Sequence, residues 1–81
     1  MISINGLKNM TESELKQNVI AALRTANDDK YGIFPTRIRD YIREKNSGIF
    51  VDLKDIRKVL EHLQDRGIAR QNFDKWKLVN R

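Results

Sequence analysis

Asp52-Leu53-Lys54-Asp55-Ile56-Arg57-Lys58-Val59-Leu60-Glu61-His62-Leu63-Gln64-Asp65-Arg66-Gly67-Ile68-Ala69-Arg70 decides the fold of this chain. Leu53, Ile56, Val59, Leu60 and Leu63 recur at spacings of three and four, the pattern of a helix with one buried face. Asp52 suits the N-cap of that helix. Gly67 suits the left-handed residue just past its end, and Arg66 in the last turn complements the helix dipole. Two short strand-like pieces follow, Ile68–Asn72 and Trp76–Asn80, separated by Phe73-Asp74-Lys75. The hairpin they would form is lopsided, with Arg66, Arg70, Lys75, Lys77 and Arg81 against Asp74 alone.

The charge of the whole chain follows the same division. Lys8, Lys16, Arg24 and Lys30 cancel Glu12, Glu14, Asp28 and Asp29 in residues 1–35, so the formal +5 lies entirely in residues 36–81, twelve basic against seven acidic. A local excess of this kind, with a pI near 9.8, favours a polyanionic partner. The chain has 81 residues, one domain, and a domain this small buries only about 60% of the surface its unfolded form exposes, which leaves no room for a deep substrate cavity. It has no cysteine and one histidine, and nothing in it resembles a glycine-rich phosphate loop, so no nucleophile–base pair, metal cluster or cofactor site suggests itself and an enzyme is not expected. No small-molecule ligand is evident either. Met1–Met10 is not patterned as a signal peptide and no apolar run approaches a membrane span, so a cytoplasmic, nucleoid-associated protein without membrane contact is expected.

Upstream, Met1–Met10 has no periodicity and reads as an arm, loosely ordered unless something pairs with it. Residues 11–81 form the single domain. Thr11-Glu12-Ser13-Glu14 has the form of a capping box, with Met10 and Leu15 at hydrophobic-staple spacing, and Leu15, Val19, Ala22, Leu23 and Ala26 continue as a helix to Thr25 or Ala26. Asn27-Asp28-Asp29-Lys30 is a polar loop, and Tyr31-Gly32-Ile33-Phe34 can supply a short edge strand before Pro35. A second helix from about Thr36 to Lys45–Ser47 would bury Ile38, Tyr41 and Ile42. Asn46-Ser47-Gly48 is turn chemistry, and Ile49-Phe50-Val51 is a brief apolar return.

On a wheel of the third helix, Lys54, Lys58, Glu61 and Asp65 lie opposite the buried stripe. Lys54 and Lys58 are neighbours at i, i+4, an arrangement that costs roughly 0.2–0.5 kcal/mol in an isolated helix unless an anion spans it. Arg39 and Arg43 repeat that spacing on the second helix. Arg57 has Glu61 four residues on, and part of its charge can serve that pair. Lys and Arg on an edge hairpin also guard against edge-to-edge aggregation, so the hairpin charges have a purely structural explanation beside the binding one. Trp76 shares strand parity with Leu78 and is expected to pack the hairpin onto the third helix; Phe73 at the turn is expected to be exposed.

Three helices, a short strand between the first two and a basic hairpin after the third make an α+β, mostly helical layout that resembles the winged helix-turn-helix family over residues 11–80. The resemblance implies a third helix entering the major groove of duplex DNA, with Lys54, Arg57, Lys58 and Glu61 facing bases. It also implies that Thr36, Arg37, Arg39 and Arg43 on the second helix, with Arg70, Lys75 and Lys77 in the wing, hold phosphates. A transcriptional regulator would fit, and a homodimer on paired half-sites, joined through the arm or first helix, would raise its affinity and specificity. The Asn46–Val51 segment is longer than a compact helix-turn-helix turn. Trp76-Lys77-Leu78 is similar to the left-handed-DNA-binding branch, but Arg57 and Glu61 stand where that branch has Asn and Tyr and no proline follows Pro35, so that activity is not expected. The alternative function is a protein-interaction module without nucleic acid, contacting its partner through Ile49-Phe50-Val51, Phe73 and the arm.

Overall fold

A computed structural model describes residues 8–26, 30–46 and 49–79. The layout is α+β and mostly helical. In chain order it runs β1 (Lys8–Asn9), α1 (Glu12–Thr25), α2 (Pro35–Lys45), β2 (Ile49–Phe50), α3 (Leu53–Asp65), β3 (Ala69–Asn72) and β4 (Lys75–Leu78). The short strand expected between the first two helices is present as one bridge, at Ile33, on β4. No helix among the described residues is long and apolar enough to cross a membrane.

Local chemistry sets the helix ends. The Thr11 hydroxyl accepts the Glu14 N–H at 3.2 Å while the Glu14 carboxylate accepts the Thr11 N–H at 3.0 Å, a closed capping box. Half-buried Met10 packs against the core beside it. Pro35 takes the first position of α2, where its missing N–H goes unneeded. Asp52 caps α3 by accepting the Lys54 N–H at 3.0 Å. At the far end Gly67 adopts φ +75°. Its N–H donates to the Gln64 carbonyl at 3.0 Å and the Ile68 N–H to the Leu63 carbonyl at 2.9 Å, the paired bonds of a Schellman closure. That closure uses Ile68, so β3 starts at Ala69 rather than at Ile68 as the pattern suggests.

All three helices touch one another, β3 packs on α3 and β4 reaches α1. The shared core contains Val19 and Leu23 of α1, Ile38 and Ile42 of α2, Ile56, Leu60 and Leu63 of α3, and Trp76 of the hairpin. Leu53, expected inside, is only half-buried at the first turn of α3, and Tyr41 is half-buried too. No polar or charged residue is buried among the described residues. The core is therefore purely apolar, and truncating one of its fully enclosed side chains removes packing with no polar compensation.

Two connections were not expected. Lys8–Asn9 pairs in parallel with Ile49–Phe50, so the end of the arm is held to the segment between α2 and α3. The hairpin turn is also shorter: Asn72 pairs with Lys75, which leaves Phe73 and Asp74 as a two-residue loop and brings Lys75 into β4. Phe73 takes φ +60° there, a conformation usual for Gly or Asn at such a turn. The Asp28–Asp29 loop, Ser47–Gly48, Asn80–Arg81 and the first seven residues lie outside the described residues.

Candidate nucleic-acid interface

The exposed side of α3 divides into two flanks about the buried stripe. At about 100° per residue, Lys54, Arg57 and Glu61 turn to one flank and Lys58 and His62 to the other. On the first flank Arg57 and Glu61 line a shallow depression with Thr36 from the start of α2 and with Gln71, Asp74 and Trp76 from the hairpin. This is where the second helix, third helix and hairpin converge. Lys54, Arg57, Lys58 and Glu61 surround an adjoining hollow on α3 itself. Lys58 and His62 also border a groove against Glu12, Ser13 and Lys16 of α1.

Arg57 is more central than its spacing from Glu61 implies. The two side chains share the depression, yet among the described residues no ion pair joins them and none holds Lys54 or Lys58. Three cations on an exposed helix face without bound carboxylates repel one another, a cost that an anion across them removes. Glu61 and Asp74 sit in the same cleft, so it is not uniformly cationic. A carboxylate there suits a donor on a base edge better than a phosphate.

The α2 residues are not all brought together. Arg37 and Arg39 are about 200° apart on the helix. Arg37 looks to the α1 side, where it lines a hollow with Thr25, Asp40, Tyr41 and Glu44, away from α3. Thr36, Arg39 and Arg43 turn to the other flank. Arg39 is half-buried, and its Nε is enclosed with no hydrogen-bond partner among the described residues. An unmet buried donor costs about 1–3 kcal/mol, and only the terminal nitrogens of Arg39 are left to meet an anion.

The hairpin register places Arg70 opposite Lys77 and Asn72 opposite Lys75. Alternation then sets Arg70, Lys75 and Lys77 on the face opposite Trp76. Trp76 is 5% exposed and fills the core, which makes it a packing residue, as its parity with Leu78 suggests. Since Trp76 and Gln71 face the depression that holds Arg57, the hairpin cations lie on the reverse side from it. There Lys75 Nζ sits 5.9 Å from the centroid of Tyr31 and 5.2 Å from that of Phe34, within cation–π range. Tyr31 is 52% exposed, Phe34 47% and Phe73 92%. The pattern of residues 31–34 shows an edge strand but not these half-open rings. Their signal is two aromatics flanking a glycine in a short run before a proline.

No family model, curated protein or solved structure matches the chain, so what the protein does is carried by its own residues and their arrangement.

Proposed function

We propose that the protein is a winged-helix protein that binds duplex DNA and serves as a transcriptional regulator. In this reading α3 enters the major groove with Lys54, Arg57, Lys58 and Glu61 towards the base edges. Thr36, Arg39 and Arg43 meet one phosphate backbone from α2, and the β3–β4 hairpin is the wing; its Arg70, Lys75 and Lys77 lie on the side away from the α3 cleft and meet only phosphates that pass the outer edge of the hairpin. Arg37, on the far flank of α2, drops out of the contact set. The observation that carries the proposal is the exposed Lys54, Arg57 and Lys58 group around one hollow of α3, without a bound carboxylate among the described residues, with Arg57 beside Thr36 where α2, α3 and the hairpin meet.

A salt titration of binding to duplex DNA tests it. About six phosphate contacts predict a slope near −5 in log affinity against log salt, and a flat response removes the proposal. A second reading, a protein-interaction module, is favoured by Phe50, 53% exposed where β2 meets the arm. Replacing Lys54 and Lys58 together by Glu separates the two, because only duplex binding predicts a folded protein that has lost its affinity for DNA.

A further inference from the structure

We propose that the reverse face of the hairpin binds single-stranded nucleic acid by stacking unpaired bases on Tyr31, Phe34 and Phe73. This surface adjoins the α3 cleft, with which it shares Phe34 and Asp74, but Tyr31, Phe73 and the cations Lys30 and Lys75 are not part of that cleft. Phe73 is almost fully exposed at the turn, and its ring is presented by a backbone at φ +60° that a phenylalanine rarely adopts. Tyr31, Phe34, Asn72, Phe73, Asp74 and Lys75 line one hollow, in which Asp74 is the single carboxylate. Two ammonium groups flank the rings: Lys75 as above, and Lys30, whose Nζ lies 5.6 Å from the Tyr31 centroid.

Three half-open or open rings interleaved with cations is the composition that unpaired strands require. Every base offers a π-face to stack, and the backbone that links the bases needs cations alongside. Arg70 and Lys77, which share the Lys75 face of the hairpin, extend that basic track. A purely apolar partner, or a second copy of the chain with its own cations opposite these, would find Lys30 and Lys75 in the way, because desolvating an ammonium without an anion is unfavourable. Duplex DNA, by contrast, keeps its base faces stacked and can offer these rings only its edges. The two faces together suit a duplex that ends in an unpaired strand.

The experiment measures fluorescence anisotropy of the whole chain with a labelled thymidine oligonucleotide, an abasic strand of equal length and a blunt duplex. The abasic strand keeps the phosphates and lacks the bases. Stacking predicts that the thymidine strand binds at least about tenfold more tightly than the abasic one. Phe73→Asn suits the turn's positive φ and should fold as well as the parent; it is expected to weaken thymidine binding about fivefold or more and leave duplex binding unchanged. Tyr31→Ala should act in the same direction, and Arg57→Ala should weaken the duplex alone. Equal affinity for the two single strands overturns the proposal, as does a Phe73→Asn variant that binds thymidine normally. Self-association abolished by Phe73→Asn, with no strand bound, overturns it in favour of a second copy. Each of these leaves duplex binding through α3 to stand or fall on its own salt titration.

Discussion

Gly32→Ala is expected to destabilise the protein severely although it adds one methyl group. Gly32 is buried at φ +92°, and a Cβ there would stand 2.2 Å from the Trp76 carbonyl oxygen and 2.6 Å from the carbonyl carbon. Those are backbone atoms and cannot swing aside as a side-chain tip would. Relief means drawing β4 away from Ile33, which breaks the bond from the Ile33 N–H to the Trp76 carbonyl at 2.9 Å and the return bond at 2.7 Å. Two such bonds contribute about 1 kcal/mol each. A Cβ in the left-handed region adds about 1–2 kcal/mol. The sum, about 3–4 kcal/mol, is a large share of the roughly 4–12 kcal/mol available to a domain of this length. Urea unfolding followed by Trp76, the sole tryptophan, measures it directly. Gly67→Ala is the control, since Gly67 has φ +75° and its substitution costs only the same conformational strain, about 1–2 kcal/mol. If Gly32→Ala lost no more stability than Gly67→Ala, the close approach of β4 to Gly32 would be wrong and the placement of the hairpin with it.

Two further outcomes follow from the same geometry. Arg57→Ala should lower duplex affinity about tenfold, whereas Arg37→Ala on the opposite flank of α2 should change it less than about twofold; equal losses in a direct binding titration would show that the division of α2 into flanks is mistaken. Leu60→Ala, at a fully enclosed position, should cost about 2–5 kcal/mol, and Thr11→Ala, which opens the capping box, about 1 kcal/mol. Chemical denaturation would rank them, and a Thr11→Ala loss as large as the core truncation would contradict the account.

Much of this was legible because it is local. The Thr11–Glu14 box, the Asp52 cap and the Gly67 stop are each settled by residues within one turn of one another, and the structure has all three. Burial of Trp76 followed from parity with Leu78 along one strand. Arg37 is the residue that α2 sets apart from Thr36, Arg39 and Arg43, and the wheel that sorts α3 also sorts α2: residues two apart on a helix do not face the same way. The pairing of Lys8–Asn9 with Ile49–Phe50 was beyond such reasoning, because a two-residue parallel pair carries almost no periodic signal and joins segments far apart in the chain.

The direction of the hairpin cations was hidden for a related reason. Alternation shows that Lys75 and Lys77 oppose Trp76, but not what lies beyond that face. The bridge from Ile33 to Trp76 decides it, by bringing the chain before Pro35 along β4 so that Tyr31 and Phe34 meet Lys75. That contact depends on Gly32, the residue that permits the backbone to approach the Trp76 carbonyl. A hairpin with its cations beside Arg57 would make one continuous anionic-ligand site. With Gly32 in place, the molecule instead presents a helix face with Lys54, Arg57 and Lys58 around one hollow and, on the reverse of the hairpin, cations interleaved with open rings. Those compositions differ in the ligand each can hold: phosphates and base edges for the first, base faces for the second.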